Sequence, residues 1–193
     1  TVVLVDLDDA RLRAAVAEAG SAAVHHQVAD VSDEAQMRAA LHDTVARHGR
    51  LDVLFCNAGT EGRVAPLSEM PVEDFDRVMA VNLDSLMHCC RRFKPALLPT
   101  PGHEGGKVII ISSIAGLGGS NVGNPAYAAS KAGAMSLART LGVAWAPEGI
   151  RVNGMAPGLV DTKLTKITTQ HPKRLEGALA SIPMHRLGTP ADM

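Results

Sequence analysis

Tyr127 and Lys131 stand at i and i+4, so on a helix they share one face about a turn apart. A free tyrosine ionises at about 10 and is a weak base at neutral pH. A neighbouring cation favours the phenolate, which makes Tyr-x-x-x-Lys a workable general acid/base pair. The pair alone is weak testimony, because a lysine snorkelling over a half-buried tyrosine has the same spacing. Its context adds weight. Tyr127 is the only tyrosine among the 193 residues. Ser112 and Ser113 follow a β-branched run, Lys107 to Ile111, and precede a Gly-rich stretch that leads to the tyrosine. A hydroxyl there can donate to a substrate oxygen beside the phenol, although Ser and Gly together are also ordinary turn chemistry.

The elements that must position these groups alternate between strand and helix. Apolar runs at 2–5, 23–28, 51–56, 107–111 and 150–155 read as buried parallel strands. Helices are expected at 9–19, with Asp8 as N-cap and Gly20 as stop, and from Ser32 as N-cap to Gly49. Longer ones are expected over 72–98, ended or kinked by Pro95, and from Pro125 to about 146. A short helix is expected at 172–180. This alternation predicts an α/β fold: a doubly wound parallel sheet between two helical layers, in one domain spanning 1–193. Ligands in such folds bind beyond the carboxyl ends of the strands. That rule selects Asp6, Asp30, Asn57, Ser113 and Pro157 as one rim.

Bulk properties exclude several classes. Formal net charge is −1, which leaves no electrostatic footprint for nucleic acid or an anionic membrane. No apolar run approaches the roughly 18 residues of a membrane span, and the N-terminus lacks the pattern of a signal peptide. Cys56, Cys89 and Cys90 make a poor disulfide framework, so the expected compartment is the cytoplasm. No His-x-x-x-His or Cys-x-x-Cys pair suggests a metal site.

Taken in order, the motifs resemble those of the short-chain dehydrogenase/reductase family. Asn57-Ala58-Gly59 follows a strand, and Val81-Asn82-Leu83 lies inside a long helix. Ile111-Ser112-Ser113-Ile114-Ala115-Gly116 precedes Tyr127-Ala128-Ala129-Ser130-Lys131-Ala132. Arg151-Val152-Asn153 leads to Pro157-Gly158-Leu159-Val160-Asp161-Thr162. The resemblance implies a Rossmann-like fold and a reaction between alcohol and carbonyl, with hydride exchanged with a nicotinamide. It implies that Tyr127 carries the proton and that Lys131 lowers the tyrosine pKa and holds the nicotinamide ribose. Ser113 orients the substrate oxygen, with Ser112 as the alternative. Asn82 holds a water in a proton relay, or is an ordinary helix-interior Asn bonded to backbone. Asp6 accepts from the adenosine 2′-hydroxyl, which favours NAD over NADP, or merely caps a helix. Asp30 and Val31 border the adenine, Asn57, Ala58 and Gly59 back the cofactor, and Pro157, Val160 and Thr162 hold the carboxamide.

The family's Gly-rich phosphate loop and the strand before it have no counterpart ahead of Val2, and a last strand is expected beyond Met193. The chain is thus expected to be truncated at both ends, with an apolar gap between the strands at Val2 and Leu51. Segment 162–184 is expected to form a substrate lid. Its Leu164, Ile167, Leu175, Leu179 and Ile182, mixed with Lys163, Lys166, Lys173 and Arg174, suit a sugar, polyol, ring diol or small ketone alike. By the resemblance the protein is a homotetramer or homodimer. An NADP-dependent reductase and a catalytically silent binding protein are the alternatives.

Overall fold

The computed structural model describes residues 1–118 and 124–193. Part of the Gly-rich stretch before Asn124 therefore lies outside the described residues, as does the side chain of Ile167. Strands β1 (Val2–Asp6) and β2 (Val24–Val28) pair in parallel, with Val2 opposite Val24. Strands β3 (Val53–Cys56), β4 (Lys107–Ile111) and β5 (Arg151–Met155) form a second parallel sheet with β4 in the middle. Parallel neighbours require crossovers, and helices supply them.

Helix α1 (Asp9–Ala19) starts where the Asp8 carboxylate accepts from the Arg11 amide and stops at Gly20, whose φ of 58° suits glycine. Helix α2 (Glu34–His48) is capped by Asp33 rather than Ser32. The Asp33 carboxylate accepts from the amides of Ala35 and Gln36 at 2.8 and 3.1 Å, whereas the Ser32 hydroxyl donates to Asp30 Oδ1 at 2.6 Å. The expected long helix is interrupted. Helix α3 (Val72–Met79) passes through a π turn at Ala80–Asp84 into α4 (Ser85–Leu97), which ends two residues after Pro95. Helix α5 (Pro125–Trp145) carries proline in its first turn, where no amide hydrogen is needed. Short α6 (Lys166–Thr169), which was not foreseen, and α7 (Pro172–Ser181) form segment 162–184.

The core lies around β4. Leu97, Val108, Ile110 and Ile150 are completely buried, with Phe93, Ala134 and Ala138 beside them. At about 1.5–3 kcal/mol for each large side chain, this layer fixes β4 against α4 and α5.

β1 and β3 do not pair with each other. A slot of about 1230 Å³ runs between them, lined by the whole of both strands. Val53 and Phe55 on its β3 side are 42% and 55% exposed. The slot is the gap expected from the sequence. Two unpaired strand edges and uncovered apolar side chains cost the stretch much of the stability its core provides. Residues 1–193 made by themselves are expected to melt broadly and to bind NAD more weakly than micromolar. A sharp cooperative melt by calorimetry, with micromolar NAD affinity, would contradict this.

Candidate active site

The catalytic candidates converge where β4 meets α5. Asn124 starts α5 by accepting from the Tyr127 amide at 3.3 Å, which places Tyr127 in the first turn. Lys131, one turn on, is buried to 4% exposure. Its Nζ donates to the Ile111 carbonyl at 2.9 Å and lies 5.7 Å from the centre of the Tyr127 ring. Burial holds the Lys131 pKa below the usual lysine value. Burial also holds Tyr127 above the usual tyrosine value; the nearby Ser113 hydroxyl opposes this, and the Glu61 carboxylate adds to it. The net direction is upward. The ammonium lies against the ring and bonds a backbone carbonyl, so desolvation dominates. At neutral pH Tyr127 is therefore a protonated acid.

The two serines separate by strand alternation. Ser112 turns inward and donates to the Lys131 carbonyl at 2.6 Å, while Ser113 faces Tyr127 and its Oγ accepts from the Ala115 amide at 3.2 Å. Of the two serines left open by the sequence, Ser113 is the one whose hydroxyl acts on the phenol. The turn at Ile114–Gly116 then presses on α5. A Cβ on Gly116 would stand 2.6 Å from the Ala132 nitrogen, so only glycine permits this approach.

Asn82 sits in the π turn at 1% exposure. Its Oδ1 accepts from the Thr60 amide at 2.8 Å, and its Nδ2 donates to the Thr60 carbonyl at 2.9 Å and to Ser130 Oγ at 3.0 Å. Both amide hydrogens are thus engaged by protein, and the side chain fastens the loop after β3 to α5. Gly59 completes the cluster: a Cβ there would lie 3.3 Å from Lys131 Nζ and 3.4 Å from Asn82 Oδ1.

The residues expected to hold a cofactor fall into two groups. Asp6, Val31, Asn57 and Ala58 line the slot between β1 and β3. Asp6 is exposed, and its Oδ1 accepts from the Asp8 amide at 3.0 Å. Asp30 lies beyond β2, its Oδ1 held by the Ser32 amide and hydroxyl. Beyond β5, the Pro157 carbonyl accepts from the Ile114 amide at 3.0 Å, which joins that loop to the turn after Ser113. Val160 and Thr162 are tied together by Thr165, whose Oγ1 donates to the Val160 carbonyl at 2.6 Å and accepts from the Thr162 amide at 3.1 Å. Sequence reasoning missed Thr165, Ser130, Glu61 and Asn124. Only Asn124 had a local signal, a capping residue directly before a helix-starting proline.

A family model described as enoyl-(acyl carrier protein) reductase matches residues 1–193. The chain belongs to the short-chain dehydrogenase/reductase family. It is 36% identical over 187 residues to 2-dehydro-3-deoxy-L-rhamnonate dehydrogenase (NAD(+)) of a Sphingomonas species, covering 97% of this chain and 72% of that protein. It is 38% identical to 2-(R)-hydroxypropyl-CoM dehydrogenase of Xanthobacter autotrophicus, over 86% of this chain and 65% of that protein. The solved structure of a Burkholderia cenocepacia gluconate 5-dehydrogenase, in complex with NADP and tartrate, superposes with a TM-score of 0.86 at 30% identity, over 98% of this chain and 73% of that one. This member of the family thus shares the Rossmann fold of its relatives, which are named dehydrogenases and reductases and of which it spans about half to three quarters.

The two serines provide a test. In the full-length protein, Ser113→Ala is expected to lower kcat about 10²–10³-fold with little change in Tm, because a donor to the reacting oxygen is lost. Ser112→Ala is expected to destabilise by about 1–3 kcal/mol, because a buried carbonyl loses its donor. Thermal melts beside steady-state kinetics check both, and the reverse pattern would reassign the serines.

Proposed function

We propose that the protein interconverts an alcohol and a carbonyl with NAD(H), with Tyr127 as general acid/base. The observation that carries this reading is the convergence of Ser113, Tyr127 and Lys131 at the carboxyl end of β4. In reduction, the Tyr127 phenol gives its proton to a substrate oxygen that also receives the Ser113 hydroxyl. Lys131 and Ser113 then stabilise the phenolate. In oxidation the proton travels back. The nicotinamide, when bound, supplies or accepts the hydride.

The residues present fit parts of that cofactor. Lys131 Nζ has three hydrogens and donates one to the Ile111 carbonyl, and Gly59, where a Cβ would stand 3.3 Å from that nitrogen, keeps the approach to it open. Asp6 would accept from the adenosine ribose, with Asp30 and Val31 bordering the adenine. Asn57, Ala58 and Gly59 would back the cofactor, and Pro157, Val160 and Thr162 would hold the carboxamide. The Asp6 carboxylate repels a 2′-phosphate, which supports NAD over NADP. The named relatives include both cofactors. Asn82 has a positioning role for the loop after β3, with the water relay as its further part. Segment 162–184 serves as the lid. A homo-oligomer pairing through α4 and α5 is supported by exposed apolar side chains on them, Met87 at 44% and Val143 at 80%.

In the full-length protein, Tyr127→Phe is expected to lower kcat about 10²–10⁴-fold. Undiminished turnover, followed by nicotinamide absorbance, would rule the role out. Asp6→Ala is expected to reduce the NAD-to-NADP ratio of kcat/KM by tenfold or more, and an unchanged ratio would remove Asp6 from cofactor selection.

A further inference from the structure

The loop after β5 runs from Pro157 to Thr162 and is held at three places. The Pro157 carbonyl accepts from the Ile114 amide at 3.0 Å. Val160 pairs in parallel with Gly188, whose amide donates to the Leu159 carbonyl at 3.0 Å and whose carbonyl accepts from the Asp161 amide at 2.9 Å. The third hold is Thr165. Its Oγ1 donates to the Val160 carbonyl at 2.6 Å and accepts from the Thr162 amide at 3.1 Å, with the Thr162 carbonyl also at 3.1 Å. Its backbone joins in: the Thr165 amide donates to the Thr162 carbonyl at 3.3 Å, and the Thr165 carbonyl accepts from the amides of Thr168 and Thr169, each at 3.0 Å. Thr165 therefore ties the end of the loop to the first turn of α6. The first two holds are bonds between backbone groups. The third is made by a side chain, so it is the one a substitution can remove. A hydroxyl has one hydrogen and two acceptor lone pairs, which lets it serve a carbonyl and an amide together. Thr162 itself stays exposed while its amide is held.

We propose that Thr165 is a positioning residue for the nicotinamide end of the cofactor: its hydroxyl fixes the backbone from Val160 to Thr162 in the shape that receives the carboxamide. The inference rests on the placement of the carboxamide at Pro157, Val160 and Thr162 proposed above, and adds the group that keeps this loop in shape. Thr165 acts through the loop and needs no contact with the cofactor. A loop already bonded in its binding shape loses less freedom when the ligand arrives. Without the hydroxyl, the Val160 carbonyl and the Thr162 amide lose a shared partner, and ordering the loop subtracts from binding. The effect is confined to the nicotinamide, because Asp6 and Asp30, on the adenosine side, stand at the ends of β1 and β2 in the other sheet.

The test measures, by calorimetry, the Kd of NADH and of ADP-ribose, which lacks the nicotinamide, for the full-length enzyme and its Thr165→Val and Thr165→Ser variants. The 2′-phosphorylated forms of both ligands take their place if wild type binds NADPH more tightly. Thr165→Val keeps the shape of the side chain and removes the hydroxyl. It is expected to raise the Kd of NADH about tenfold and to leave that of ADP-ribose within about twofold of wild type. Thr165→Ser keeps the hydroxyl and is expected to bind both ligands within about threefold of wild type. If Thr165→Val fails to fold, Thr165→Cys, whose thiol is a weak donor, is read in the same way, with a rise of about threefold or more expected for NADH alone. General damage to the fold would weaken both ligands alike, so equal weakening overturns the proposal. It is also overturned by an NADH Kd within about twofold of wild type in the valine variant, or in the cysteine variant that replaces it, and by a serine variant as weak as the valine one. A wild type that binds NADH no more tightly than ADP-ribose overturns the carboxamide placement itself, and this inference with it.

Discussion

Ser112 donates its hydroxyl to the Lys131 carbonyl, and the Lys131 ammonium donates to the Ile111 carbonyl. These two bonds run in opposite directions between the end of β4 and the second turn of α5. Gly116, with no space for a Cβ, brings the following turn onto Lys131 and Ala132 of the helix. The rest of the site follows from this seat. With Ser112 held inward, alternation along the chain turns Ser113 toward the phenol. With Lys131 held at the strand end, Tyr127 one turn earlier must stand over the rim. The small residues of α5, including Ala134 and Ala138 at full or nearly full burial, let the helix come this close to the sheet.

A second brace closes the site from the other side. Asn82 joins the loop after β3 to Ser130 on α5, and Asn124 joins the same loop to the start of α5. The groups gathered here are electrostatically mixed: one buried cation, one phenol and one half-buried carboxylate. Burial pushes Lys131 down and Tyr127 and Glu61 up, so each group is moved toward its uncharged form. For Tyr127 this favours the acid over the base, until something added to the site stabilises the phenolate.

Much of this was legible in the sequence. The five strands, the Asp8 and Gly20 ends of α1 and the proline start of α5 follow from local composition, and the order of motifs identified the family. The gap between β1 and β3 was expected from the resemblance, whose sheet order places a further strand between them. Other features depend on contacts that no local pattern carries. The π turn at Ala80–Asp84 contains no glycine or proline to mark it. Asn82 meets Ser130 across 48 residues, and Asn124 meets Glu61 across 63. The spacing of Tyr127 and Lys131 gave their shared face, yet it could not give their burial, which raises the phenol. Ser32 lost the α2 cap to Asp33 because Asp30 engages its hydroxyl, a competition between neighbours of equal capping propensity.

The central claim is that the Tyr127 proton is the one transferred. Burial raises its pKa, so its acid form is lost only as pH rises through the folded-state value. The most direct measurement is a spectrophotometric titration of the Tyr127 phenolate, read as the difference between the full-length enzyme and its Tyr127→Phe variant with cofactor bound, beside the pH dependence of kcat/KM for reduction. The account predicts that carbonyl reduction falls over the pH interval in which the Tyr127 phenolate appears. A rate that falls while the phenol remains protonated would contradict it.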